Sequence, residues 1–371
     1  LTQPKAVKKS GKKQLALAND TGPVDSPIHH KGRLKTGWQH YLTRSRFEIR
    51  QVIFDPPFFI LCALVFFVLL IIMFEPKGMF GGTLLPLTQS MIQMIRGTMG
   101  VLSLIVITYY SAEIIWRERA SGMGDIIDSM PVFNLSFWLS KLTAMWTVLI
   151  LLLTFAMGVT ILFQVGRGYP HIEFGQYLIT LFYFTALPWM MLSVLAFFLQ
   201  VVSPNKFAGM FFFVLFILSG LVMEPIGLGH NMFQFSSSPA LTYTDLNGYG
   251  GAMESHSWYM LYWGALSVVL SLVGYGLWQR GPVQGFKTRL EGLNYQLGGN
   301  GRITLVSSAV VFLLSGAYII YNTRVLNDYA TTSDNNVAMA NYEKRYRQFY
   351  KDPVPVISKL NASVDIYPEQ R

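Results

Sequence analysis

The sequence predicts an all-α integral membrane protein with about seven transmembrane helices, and three observations predict it. Of its 371 residues, 52% are hydrophobic and only 13% charged, about half the charged share of an ordinary soluble domain. Seven stretches approach the roughly 20 apolar residues that a helix needs to cross about 30 Å of hydrocarbon. Lysine and arginine, which give a net charge of +9, crowd the first fifty residues and the flanks of alternate stretches, which is how a membrane topology distributes them. That placement argues against nucleic acid as a partner. The single cysteine, Cys62, lies inside an apolar stretch, so neither a disulfide framework nor a cysteine-rich metal site is expected.

Residues 1–34 have a basic linker's composition, with few large apolar side chains, and are expected to be disordered. They lack the short apolar core of a cleavable signal, so the first span is expected to act as its own insertion signal. The chain opens without Met and stops at Arg371, and a piece of a longer polypeptide is expected. Within residues 35–55, Trp38, Tyr41, Leu42, Phe47 and Ile49 alternate with Arg44, Arg46 and Arg50. This pattern suits a basic helix at an anionic headgroup layer, and equally the flanking sequence that any cytoplasmic end of a span carries.

The spans follow at 57–74, about 97–116, 138–163, 177–202, 207–223, 258–278 and 303–321. The third is long enough to tilt. The fourth and fifth are joined only by SPNK, and the fourth contains Pro188, a tolerated kink or the mark of a broken helix. Residues 281–302 are expected to form a cytoplasmic loop. Basic residues before span one, at 117 and 119, at 206 and over 280–302 contrast with only Lys77, Arg96 and Arg167 in the other loops. The N-terminus is therefore expected inside and the C-terminus outside, with Trp116, Trp138 and Trp278 at the inner interface.

One stretch interrupts this apolar pattern. SAEIIWRERASGMGDIIDSMP, residues 111–131, joins spans two and three on the inner side. At about 100° per residue, Ala120, Met123, Ile126, Ile127 and Met130 share one face and Glu118, Asp125 and Asp128 the other, as in an amphipathic helix lying on the membrane. Gly122 and Gly124 weaken such a helix by about 1 kcal/mol each, so a partner is expected to hold it, and Pro131 ends it. A solvated charged loop is the alternative.

A basic helix before span one, the string AEIIWRERASGMGDIIDSMP, a lysine entering span three and a tight hairpin between spans four and five resemble the permease subunits of type-two ABC exporters, over residues 35–280. The resemblance implies a connecting helix bearing Trp38, Tyr41, Arg44, Arg46, Phe47 and Arg50, ahead of a six-helix permease domain at 56–280. It also implies a coupling helix whose Glu118, Arg119, Met123, Asp125, Ile126, Asp128 and Pro131 meet an ATP-hydrolysing subunit. ATP and Mg²⁺ would be bound on that partner, with no cofactor or metal in this chain. The permease would work as a homodimer or with a second permease half, in membrane lipid, in the inner membrane of a bacterium.

Residues 322–371 read as an outward segment: a polar helix, a Pro-bounded link and an alternating strand, LNASVDIYP. They resemble the start of the β-domain of zinc aminopeptidases that some bacterial permeases of this kind carry as a fusion. The supplied residues contain no H-E-x-x-H and no G-x-x-x-x-G-K-[ST], so neither metallopeptidase chemistry nor ATP hydrolysis by the usual phosphate loop is expected within the chain. Charges at mid-membrane, which mark ion pathways, are also missing from the spans. Two other function classes stay open: a membrane anchor for an outward-facing enzyme without transport, and an ion-coupled secondary carrier.

Overall fold

The computed structural model describes residues 30–74, 85–123, 134–223, 225–278, 285–327, 329–353 and 357–364. Its long elements are all helices: α1 (His30–Ile53), α2 (Pro56–Phe74), α3 (Thr88–Ala120), α4 (Asn134–Gly166), α5 (Phe174–Val202), α6 (Lys206–Met223), α7 (Ala252–Leu277), α8 (Phe286–Ile320) and α9 (Thr332–Tyr346). Among the described residues no strand forms, apart from one isolated bridge between Thr244 and Gly248. Seven helices among the described residues are long and apolar enough to cross a membrane. The chain is an all-α membrane protein of multiple spans, as its composition predicts.

Several boundaries differ from the sequence expectation, each for a physical reason. The second span begins at Thr88 rather than near residue 97, because Gln89, Gln93 and Arg96 dilute its hydropathy while Thr88, Met91, Ile92, Ile95 and Met99 form a buried stripe at helical spacing. Arg96 therefore lies within a helix and not in a loop. The loop expected over 281–302 is helical from Phe286, and the break falls at Gly298, whose φ of 62° and ψ of −175° leave the helical region. Glycine reaches that conformation without steric cost. Residues 357–364, where the C-terminal strand was expected to begin, have no regular structure.

The chain packs as two compact units. The first comprises residues 1–177 and 275–291. Here α1, α2 and α3 all pack on α4, whose buried Trp138, Leu142, Met145, Leu149, Leu152 and Ala156 recur every three to four residues. Trp138 and Trp278 are buried, with ring centroids 6.2 Å apart. They fill a protein core, where sequence alone placed them as interfacial anchors. At the far end of α4, Gln164 is wholly buried; its Nε2 donates to the Pro86 carbonyl at 2.8 Å and its Oε1 accepts from the Tyr177 hydroxyl at 2.9 Å.

The second unit comprises residues 178–274 and 292–371. Its core gathers Met191, Tyr259, Met260, Tyr262, Trp263 and Ile319. Tyr262 of α7 stacks on Phe312 of α8 with centroids 4.4 Å apart. Gly316 makes room for that ring, since a Cβ there would stand 3.0 Å from Tyr262 Cε2. Asn205 caps α6 by accepting from Ala208 N–H at 2.9 Å, which stabilises the tight turn after α5. The loop before α7 is tied down: Ser236 donates to the Pro188 carbonyl, and Trp263 Nε1 donates to the Ser237 carbonyl at 2.9 Å. His230 is buried there and its Nδ1 accepts from Met232 N–H at 3.1 Å. Burial, and then the Arg324 charge, hold this imidazole's pKa below its ordinary value, which favours the neutral acceptor.

Candidate functional site

The site is built where three helix ends of the first unit meet, and each brings charge to a place that sequence marks weakly. Helix α1 has one carboxylate, Glu48, among many bases, and α4 has one charged residue, Lys141, in 33. Both are buried, at about 1% exposure each. Helix α3 reaches the same place with Glu113, Arg117 and Glu118 in its last two turns. Isolated charges out of water are costly, so these side chains compensate one another.

Lys141 Nζ donates to the Ile114 carbonyl at 2.7 Å and lies 3.6 Å from Glu48 Oε1 and 3.4 Å from Glu118 Oε1. Arg44 bridges the same two carboxylates, donating to Glu48 Oε1 at 2.7 Å and to Glu118 Oε1. Arg117 Nη1 donates to Gln51 Oε1 at 2.8 Å and stands 3.6 Å from Glu48 Oε2, while its Nε is 4.0 Å from Glu113 Oε1. Three cations and three carboxylates thus neutralise one another. The Arg44 guanidinium also lies 4.6 Å over the Phe137 ring, and the Tyr41 hydroxyl is 2.8 Å from Thr143 Oγ1. The network joins α1, the end of α3 and the start of α4 into one piece.

What leaves this piece is the α3–α4 connection. Its first residues are set by the way α3 stops: Gly122 N–H donates to the Arg119 carbonyl at 3.2 Å and Met123 N–H to the Glu118 carbonyl at 3.1 Å, with Gly122 at φ 70°. This is a Schellman closure, which needs a residue in the left-handed region and so selects glycine. Sequence reading took Gly122 as a weak point within an amphipathic helix. It is instead the cap, and Ala120 and Met123 do not share a helical face.

The residues singled out from sequence separate accordingly. Glu118 and Arg44 lie within the network and Tyr41 at its edge. Arg119 sits 5.7 Å over the Trp116 ring, and Met123 is exposed beyond the cap. Asp125, Ile126, Asp128 and Pro131 lie outside the described residues. Trp38 and Phe47 are exposed, with Trp38 packed on Tyr41 at 5.2 Å and Phe47 under Arg44 at 5.0 Å. Arg46 and Arg50 are also exposed. Sequence reasoning missed Glu48, Glu113 and Arg117 and gave Lys141 no partner. The lone carboxylate of α1 and the lone charge of α4 were the signals that could have found them.

The segment after α7 reaches the same unit. Trp278 contacts Phe137 and Trp138, and Arg289 donates from Nε and Nη2 to the Leu277 carbonyl at 2.9 and 2.6 Å. Burial and the nearby Arg119 charge lower the pKa of the Arg289 guanidinium.

Among the described residues, no group of three or more His, Cys, Asp or Glu side chains gathers as a metal site. Comparison with protein-family models, with curated proteins and with solved structures finds no match to this chain.

Proposed function

We propose that the chain is the permease subunit of an ABC exporter, moving a substrate across a bacterial inner membrane with ATP hydrolysed by a separate subunit. One observation carries the reading: the neutral network of half-buried Arg44, Glu113, Arg117 and Glu118 around the buried Glu48 and Lys141 fastens α1, the end of α3 and the start of α4 into a single piece beside the charged α3–α4 connection. A lever transmits force only if its fulcrum is stiff. Replacing one partner of a buried ion pair costs about 3–5 kcal/mol, so these three ends resist separation. A push on the connection would displace α3 and α4 together, which is what rigid-body switching between two access states asks for.

In this reading the connection, with Glu118, Arg119, Met123, Asp125, Ile126, Asp128 and Pro131, lies in the cytoplasm against the ATPase, which holds ATP and Mg²⁺. Helix α1 is the connecting helix. Two copies, or this chain with a second permease half, form the pathway. The C-terminal segment faces outward and leads towards a peptidase-like domain.

The test replaces Asp125 and Asp128 together by Lys and follows the co-purifying ATPase. The expected outcome is loss of the complex, or of substrate-stimulated ATP hydrolysis within it, with the permease still folded. Undiminished capture and stimulation would remove the coupling role and favour the anchor reading. Substrate movement driven by an ion gradient without ATP would favour the secondary carrier.

A further inference from the structure

The outer face of α1 has a composition unlike either its inner face or the apolar spans. At about 100° per residue, Tyr41, Glu48 and Val52 share one face, on which Tyr41 and Glu48 meet α4 and Val52 is buried, while Leu42, Thr43, Arg46, Phe47 and Arg50 fill the opposite arc. All five of that arc are exposed, and so are Trp38 at one edge and, just past the helix end, Phe54, at 62% and 69%. Among the described residues neither Arg46 nor Arg50 pairs with a carboxylate; Arg50 lies 5.9 Å over the Phe54 ring. The one acid of the helix, Glu48, is consumed in the buried network. The face therefore presents two unneutralised guanidiniums framed by aromatic and aliphatic side chains, and Pro56 then opens an apolar span.

We propose that this face binds the headgroups of anionic phospholipids, Arg46 and Arg50 taking the phosphates while Trp38, Leu42, Phe47 and Phe54 enter the acyl boundary. Charge selects the occupant. A guanidinium matches phosphate with paired N–H donors, and aromatic rings settle at the headgroup layer. A water-soluble partner would not need a phenylalanine where the helix gives way to a span. The inference needs the chain to lie in a bilayer and is independent of transport or of an ATPase.

The test uses the full chain with Cys62→Ala, a fluorophore on Thr43→Cys, and vesicles of equal phosphatidylcholine and phosphatidylglycerol. A nitroxide is carried on the headgroup of one lipid or the other. Stronger quenching by labelled phosphatidylglycerol than by labelled phosphatidylcholine is expected. The preference should fall roughly five-fold per arginine removed, vanish in Arg46→Glu with Arg50→Glu, and survive in Arg46→Lys with Arg50→Lys. Equal quenching by the two lipids would overturn the proposal, as would a preference that outlasts the Glu pair. So would quenching by aqueous iodide alone, which places the face in water or against protein. Loss of the preference in inorganic phosphate, beyond that in sodium chloride of equal ionic strength, would assign the site to free phosphate and overturn the lipid.

Discussion

Lys141 is the sole charged side chain in the 33 residues of α4, and its three contacts explain how it is tolerated at 1% exposure. Removing it leaves Glu48 and Glu118 facing each other with one cation fewer, so Lys141→Met is expected to cost about 3–5 kcal/mol. Adding Glu48→Gln restores the balance, because Arg44 and Arg117 then meet Glu113 and Glu118 alone. The double variant is expected to be clearly less destabilised than the sum of the single changes, as contacting residues of one network are. Unfolding in mixed micelles measures both values; strict additivity would mean that the buried pair is not coupled. Two of the six residues of this site were legible in the sequence as site residues. Arg44 and Glu118 stood in segments already marked by their charge, but ion pairs between helices depend on which turns face each other, and no periodicity within one helix reveals that.

Helix α5 shows how an element departs from its own rule and is compensated. Residues Ile179–Ala186 widen into a π-helix: Leu187 N–H donates to the Phe182 carbonyl, and Thr185 Oγ1 donates to the Thr180 carbonyl at 2.8 Å. In that register the Tyr183 carbonyl faces residue 188, and proline has no N–H to give it. His256 of α7 supplies the donor, its Nε2 lying 3.2 Å from the Tyr183 oxygen, while its Nδ1 takes the Ser238 hydroxyl at 2.9 Å. His256→Phe is expected to strand both groups and cost about 1–3 kcal/mol for each. Pro188→Ala returns an N–H that can reach Tyr183, so the histidine change should be milder by about 1 kcal/mol in that background. A double-mutant cycle by thermal unfolding reads the difference, and costs for His256→Phe that match in both backgrounds would show that the carbonyl does not depend on the ring. Pro188 was visible as a kink from sequence. Its histidine partner was not, since it comes from a helix more than sixty residues away, and π-turns leave no simple pattern in composition.

At the scale of the whole chain the seven spans were legible because hydropathy reads the solvent directly, and lipid asks little more of a helix than length and apolar surface. Helix α6 illustrates this: Phe207, Phe211, Phe212, Leu215, Leu218 and Leu221 all face outward, which water would penalise and a bilayer does not. Element ends were less legible, as at Thr88 and Phe286, because polar residues that find partners dilute the average without ending the helix. Orientation rests on different physics, the bias of lysine and arginine between the two sides, and it decides on which face Ser121 emerges just after the α3 cap. Ser121 is exposed and adjoins Gly122, which keeps its left-handed role if only the serine is changed. In Cys62→Ala chains carrying Ser121→Cys, an impermeant maleimide added to intact cells is expected to leave the cysteine unmodified, and to label it once the membrane is opened. Labelling of intact cells would place the charged α3–α4 connection outside, where no ATP-hydrolysing partner can reach it, and the proposed drive for transport would fail with it.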